Sequence, residues 1–248
     1  MSYLSQAASL ACLTCFMLTA SDLFAQRSAI DNQQVVNAAG SAYSPSGNVM
    51  RTYDNRFRGI EGSPYLMNDW KDAIVISEDG SMFRDLQVRY NIETDDVVLA
   101  SHDGGPLLLP REKIAEFVLQ DGHEFFRFVA ITNPVVPGER AMFCQLLEDG
   151  PVQVYVRRRK YFVPGSNTLA FGHQDHGQYK FHKDRFYLRN RDTGEMLKVG
   201  RINAPVYTFL GAYKKELKEL SKTREWYVSD PDALLGLIRH FNKLSLRS

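Results

Sequence analysis

Short runs of β-branched and aromatic residues recur from residue 73 to residue 199, at intervals of roughly eight to twelve residues, with Asp, Asn, Gly and Thr clustered between them. Runs of that length suit strands and are too short for stable helices. The runs at 73–77 and 82–90 flank Glu78-Asp79-Gly80, a turn composition that reverses the chain as a hairpin. Within the second run Leu86, Val88 and Tyr90 alternate with Asp85, Gln87 and Arg89, as a strand with one wet face requires. Further runs lie at 97–100, 106–109, 114–119, 124–131, 141–147, 152–162, 179–188 and 196–199. About ten strands joined by tight turns predict a mostly antiparallel β-meander, curled or barrel-like so that its edges are hidden.

After Arg201 the period changes. Val206, Phe209, Leu210, Tyr213, Leu217 and Leu220 fall at helical spacing, with lysines and glutamates between them. A second helix is marked by Asp230 as a cap, Pro231 in the first turn, and an apolar stripe of Leu234, Leu235, Leu237, Ile238, Phe241 and Leu244. The spacing predicts helices over about 204–220 and 231–246, packed on the sheet because neither apolar face can be left in water. The fold class is therefore α+β, in a single domain over 51–248. A composition 44% hydrophobic and 24% charged allows such a core.

The first 50 residues read differently. Residues 7–20 form an uncharged apolar run too short for a comfortable membrane span, and Ser21-Asp22-Leu23-Phe24-Ala25 precedes polar Gln26-Arg27. That pattern predicts a secretory signal over 1–25, and with it an exported chain of the periplasm or cell envelope. Residues 26–50 are rich in Asn, Gln, Ser, Ala and Gly, with too little apolar surface to offset the entropy of ordering, and are expected to form a disordered leader. No transmembrane span is expected in the mature chain. Cys12 and Cys15 fall inside the signal, in contexts that do not suit lipidation. Cys144 alone would remain, and its neighbours Met142, Phe143, Leu146 and Leu147 mark it as a packed core thiol.

Three groups of residues invite a chemical reading. His173, His176 and His182, with Asp175 nearby, carry metal-ligand chemistry, yet no helix is expected to place the first two on one face. No metal and no cofactor are therefore expected. Arg157-Arg158-Arg159-Lys160, with Tyr155, Tyr161 and Phe162, resembles an anion-binding stripe, but strand alternation splits it between two faces. With 30 basic against 29 acidic residues the chain has no general attraction for polyanions, so nucleic acid is not expected as a partner. The acidic pairs Asp95-Asp96 and Glu148-Asp149 sit where turns are already expected, and turn formation accounts for them. Among nucleophile elbows, phosphate-cradling glycine loops and zinc-binding helices, none of the spacings is found. No catalytic and no cofactor-binding residue is assigned.

One resemblance bears on the whole domain. Arg56 and Gly59, Gly62-Ser63-Pro64-Tyr65-Leu66, Trp70, Asp79-Gly80, Tyr90-Asn91 and Asp95-Asp96 form one pattern. Tyr213-Lys214-Lys215-Glu216-Leu217, Leu234, Leu235, Ile238 and Phe241-Asn242 form a second near the C-terminal end. Together they resemble uncharacterised exported proteins of Bacteroidota-type bacteria, a family without an established activity. The resemblance implies export and supplies no site. The expectation is a non-catalytic envelope protein that binds an unknown protein, glycan or lipid. A lipid or small-molecule carrier with a barrel cavity is the second reading, and a metal-dependent hydrolase built on His173, His176 and His182 the third. If the signal is real, N-terminal sequencing of protein from native envelopes will begin near Gln26; an intact Met1 overturns it.

Overall fold

The computed structural model describes residues 60–101, 105–131, 141–165, 177–226 and 230–246. The expected signal and leader lie outside them. Twelve strands are found among the described residues: β1 Lys71–Ser77, β2 Met82–Asn91, β3 Asp96–Leu99, β4 Leu107–Leu108, β5 Ile114–Asp121, β6 Glu124–Ile131, β7 Met142–Glu148, β8 Val152–Arg157, β9 Lys160–Val163, β10 Gln178–Phe181, β11 Arg185–Asn190 and β12 Met196–Val199. Ten of them form one antiparallel sheet in the order β12-β11-β8-β7-β6-β5-β1-β2-β3-β4, and β9 pairs with β10 alone. The fold class is α+β, as the sequence predicts, but the sheet does not close into a barrel.

The sheet is curled all the same. β2 and β7 stand four places apart, about 19 Å in a flat sheet at the usual strand spacing. The rings of Tyr90 on β2 and Phe143 on β7 nevertheless lie 6.1 Å apart. Phe117 and Phe128 fill the space between them, stacked at 4.8 Å and each 5.1 Å from Tyr90. Leu86, Val88, Ile92, Leu99 and Leu119 complete a buried cluster around these rings.

Directly paired residues share a face of a sheet. The register sets Phe117, Phe128, Gln145, Val156, Phe186 and Val199 in one row across six strands. One face therefore serves two cores. Its first half is covered by the curl, and its second half by the C-terminal helices, through Val152, Val154, Leu188, Leu217, Leu234, Leu237 and Ile238.

These helices are α1 Ala204–Phe209, α2 Lys214–Thr223 and α3 Pro231–Ser245. The single helix expected over 204–220 is two, with a short 3-10 turn at Gly211–Tyr213 between them. Gly211 has φ of 61°, a left-handed conformation that glycine adopts freely and that ends a helix, so an unbroken apolar period concealed the stop. α3 begins as expected, with the Asp230 carboxylate accepting the Asp232 N–H at 2.9 Å. It is also fastened at its far end. Asn242 accepts the Val152 N–H at 2.9 Å and donates to the Val152 carbonyl at 3.0 Å, standing in for a neighbouring strand at the start of β8. A Cβ at Gly150 would collide with that carboxamide, which explains the glycine there.

Ile238 is fully buried under this helix. Ile238→Asp places an unpaired carboxylate among aliphatic side chains and is expected to lower stability by on the order of 4 kcal/mol. Urea melts of the two forms measure this; equal midpoints would mean that the stripe is not buried in solution.

Candidate functional site

The acidic pair at Asp95-Asp96 does more than form a turn. Asp95 has φ of 65° and a side chain only 8% exposed. Its Oδ1 accepts the Tyr90 hydroxyl at 2.6 Å and the Phe143 N–H at 3.4 Å. Its Oδ2 lies 3.2 Å from Arg111 and 4.0 Å from Arg157, without an aligned hydrogen bond to either. Arg111 also donates to the Thr94 carbonyl at 2.5 Å and reaches Asp96 at 3.2 Å. The cluster therefore pins the β2–β3 turn to β7 and β8 and holds the curl shut. Burial, the strongest influence, pushes the Asp95 carboxyl above its ordinary value, against the hydrogen bond from Tyr90 and the charges of Arg111 and Arg157.

The basic run is neither an anion-binding stripe nor a solvated edge. Arg157 faces Asp95 across 4.0 Å. Arg158 binds the Gln145 carboxamide and sits 3.4 Å from Asp184. Lys160 donates to the Tyr65 carbonyl at 2.5 Å, with its ammonium 4.7 Å from the Phe181 ring, and burial lowers its pKa. Arg157, Arg158 and Lys160 are thus used in tying the sheet together.

Strands expected at 152–162 and 179–188 are each broken in two, for a local reason. β8 and β9 run out as β10 and β11 run back, so the four make one long hairpin. Two residues, Arg158 and Arg159, stand opposite three, His182, Lys183 and Asp184. An extra residue on one side breaks the ladder and bends it, as a bulge does. The β9–β10 ribbon thus leaves the sheet, with the His182 N–H donating to the Arg159 carbonyl at 2.8 Å and the Arg158–Asp184 pair bridging the gap.

A cleft of about 390 Å³ lies at this bend, between the β10–β11 connection, the end of β12 and Pro231. His182, Lys183, Arg185 and Lys198 line it and are exposed. The lining carboxylate, Asp184, faces Arg158. The ribbon carries aromatic rings on both faces: Tyr161 lies 4.4 Å from the cleft residue His182, while on the other face Phe162 lies 5.4 Å from Tyr179, and Phe181 is 57% exposed. A second hollow, of about 350 Å³, opens on the sheet beside Asp72, Asp85 and exposed Phe125.

Of the histidines with metal-ligand chemistry, His173 and His176 lie outside the described residues. His182 packs tilted against Tyr161 at the cleft rim. Among the described residues no three His, Cys, Asp or Glu side chains are grouped to hold a metal ion, and no helix is long and apolar enough to cross a membrane. Cys144 is fully buried, and burial pushes its thiol pKa far up, which suits packing and not reactivity. Glu148 pairs with Arg239 at 2.9 Å, and Asp149 with Arg127 at 3.0 Å and with Arg191, so this acidic pair holds elements together. No family model, curated protein or solved structure matches the chain.

The cleft residues were not legible as a group. Lys183, Arg185 and Lys198 are scattered charges in the sequence, and only the bend and the β11–β12 pairing bring them to one hollow. Asp95 looked like an ordinary turn residue because nothing local distinguishes a wet aspartate from a buried one.

Asp95→Asn keeps the shape and removes a charge whose burial costs more than Arg111 and Arg157 return, while Asp96 still faces Arg111, so a change of less than about 1 kcal/mol is expected at neutral pH. The folded carboxyl binds its proton more tightly than the unfolded one. Stability contributed by this group is therefore greatest below its unfolded value near 3.8 and falls as pH rises through its raised folded value. Urea melts of both forms across that acidic range should show this falling component in the parent and not in the variant.

Proposed function

We propose that this chain is an exported, non-catalytic binding module of the cell envelope, the export being what the sequence resemblance implies. The observation that carries the reading is the filled interior. A carrier of the lipocalin type needs a hollow lined by small apolar side chains, whereas here Tyr90, Phe117, Phe128 and Phe143 pack ring against ring within the curl. What remains for a partner is the exterior. The cleft at the hairpin bend offers exposed cations and one neighbouring aromatic ring, Tyr161, which suits recognition of a partner's surface or chain. The buried polar groups are spent on structure: Asp95, Arg157 and Lys160 tie strands and turns together.

Native protein purified from its own envelope fraction tests this. It should lack Met1, and organic extraction followed by mass spectrometry should return no stoichiometric lipid. One lipid per chain would replace the module with a carrier, and recovery from the cytosol would end the envelope reading.

A further inference from the structure

We propose that the cleft at the β8–β11 bend and the adjoining face of the β9–β10 ribbon bind an acidic polysaccharide, an assignment that rests on the binding-module reading. Lys183, Arg185 and Lys198 converge on the cleft, and none of the three has a carboxylate partner among the described residues. The lining carboxylate, Asp184, already faces Arg158 at 3.4 Å. The hollow thus carries excess positive charge and is complementary to an anion.

The ribbon extends this surface. Register places Tyr161 opposite Lys180, on the face away from Lys160, Phe162, Tyr179 and Phe181. The Tyr161 ring, 39% exposed, lies against the cleft residue His182. A chain leaving the cleft therefore meets an aromatic platform and then the exposed Lys180. A single phosphate would use the cations and ignore the rings. A neutral glycan would use the rings and ignore the cations. A polymer of uronate sugars presents both features, carboxylates at intervals and the apolar C–H faces of its rings between them.

Nucleic acid shares this general chemistry and fits less well. Its charge density calls for a denser basic surface, and this chain has a net charge of only +1. The His182 imidazole packs against Tyr161 at 4.4 Å with its plane tilted by 39°, which leaves one side of the ring for a sugar face.

Calorimetric titration of the protein, as purified from the envelope, with oligogalacturonate tests the assignment, using dextran, oligo-deoxythymidylate and inorganic phosphate as comparison probes. Oligogalacturonate should bind, and its affinity should fall about tenfold or more between about 50 and about 200 mM NaCl, because about three or four cations are engaged. The double variant Lys183→Glu, Lys198→Glu should weaken binding by about tenfold or more, and Tyr161→Ala by roughly fivefold, with thermal midpoints unchanged because these side chains are exposed. Failure of oligogalacturonate to bind, or tighter binding of the deoxythymidylate, overturns the assignment and leaves the module reading in place. So does an unchanged affinity in the double variant. Binding accompanied by release of new reducing ends supports the site and overturns the non-catalytic reading instead.

Discussion

The apolar face on which Phe117, Val154 and Leu188 stand has to be taken out of water, and no one element of this chain is large enough to cover it. The face is divided at Gln145, midway along the row from Phe117 to Val199. On one side the sheet bends until Tyr90 meets Phe143. On the other, three short helices lie over Val154, Leu188 and Val199. Each large side chain so buried contributes roughly 1.5–3 kcal/mol, and the two covers are needed together.

Holding two covers on one sheet demands polar fastenings at the places where the backbone ladder cannot reach. Asp95 joins the β2–β3 turn to β7 and β8, where no strand pairing is available. Asn242 joins the end of α3 to the backbone of Val152. Lys160 joins the ribbon to the segment at Tyr65. Such groups are expensive to bury and stay favourable only when their partners are in place. This explains why the charges that look most chemical in the chain, the acidic pairs and the arginine run, turn out to be structural.

The bend in the long hairpin is where structure and recognition meet. One surplus residue on the return side turns the ribbon out of the sheet, and the same step exposes Lys183 and Arg185 beside Lys198. Aromatic rings that would otherwise sit within a ten-stranded sheet are instead displayed on a two-stranded arm. A filled core and a displayed surface are two results of the same chain path.

Local chemistry by itself determined most of the strands, their antiparallel connections, the capped final helix and the buried Cys144, because period, turn composition and capping act over a few neighbouring residues; the breaks within 152–162 and 179–188 were not among them. The break at Gly211 was written in the chain too, but a continuous apolar stripe masked it. Tertiary structure alone decided that β5 adds beside β1, that the sheet curls without closing, and that Asp95 is buried while Asp192, in a similar turn, is exposed. It alone decided which cations face a hollow and which tie strands together. The physical reason is range: turns and periods are set by neighbours along the chain, whereas burial and charge pairing depend on residues dozens of positions away that only packing brings together.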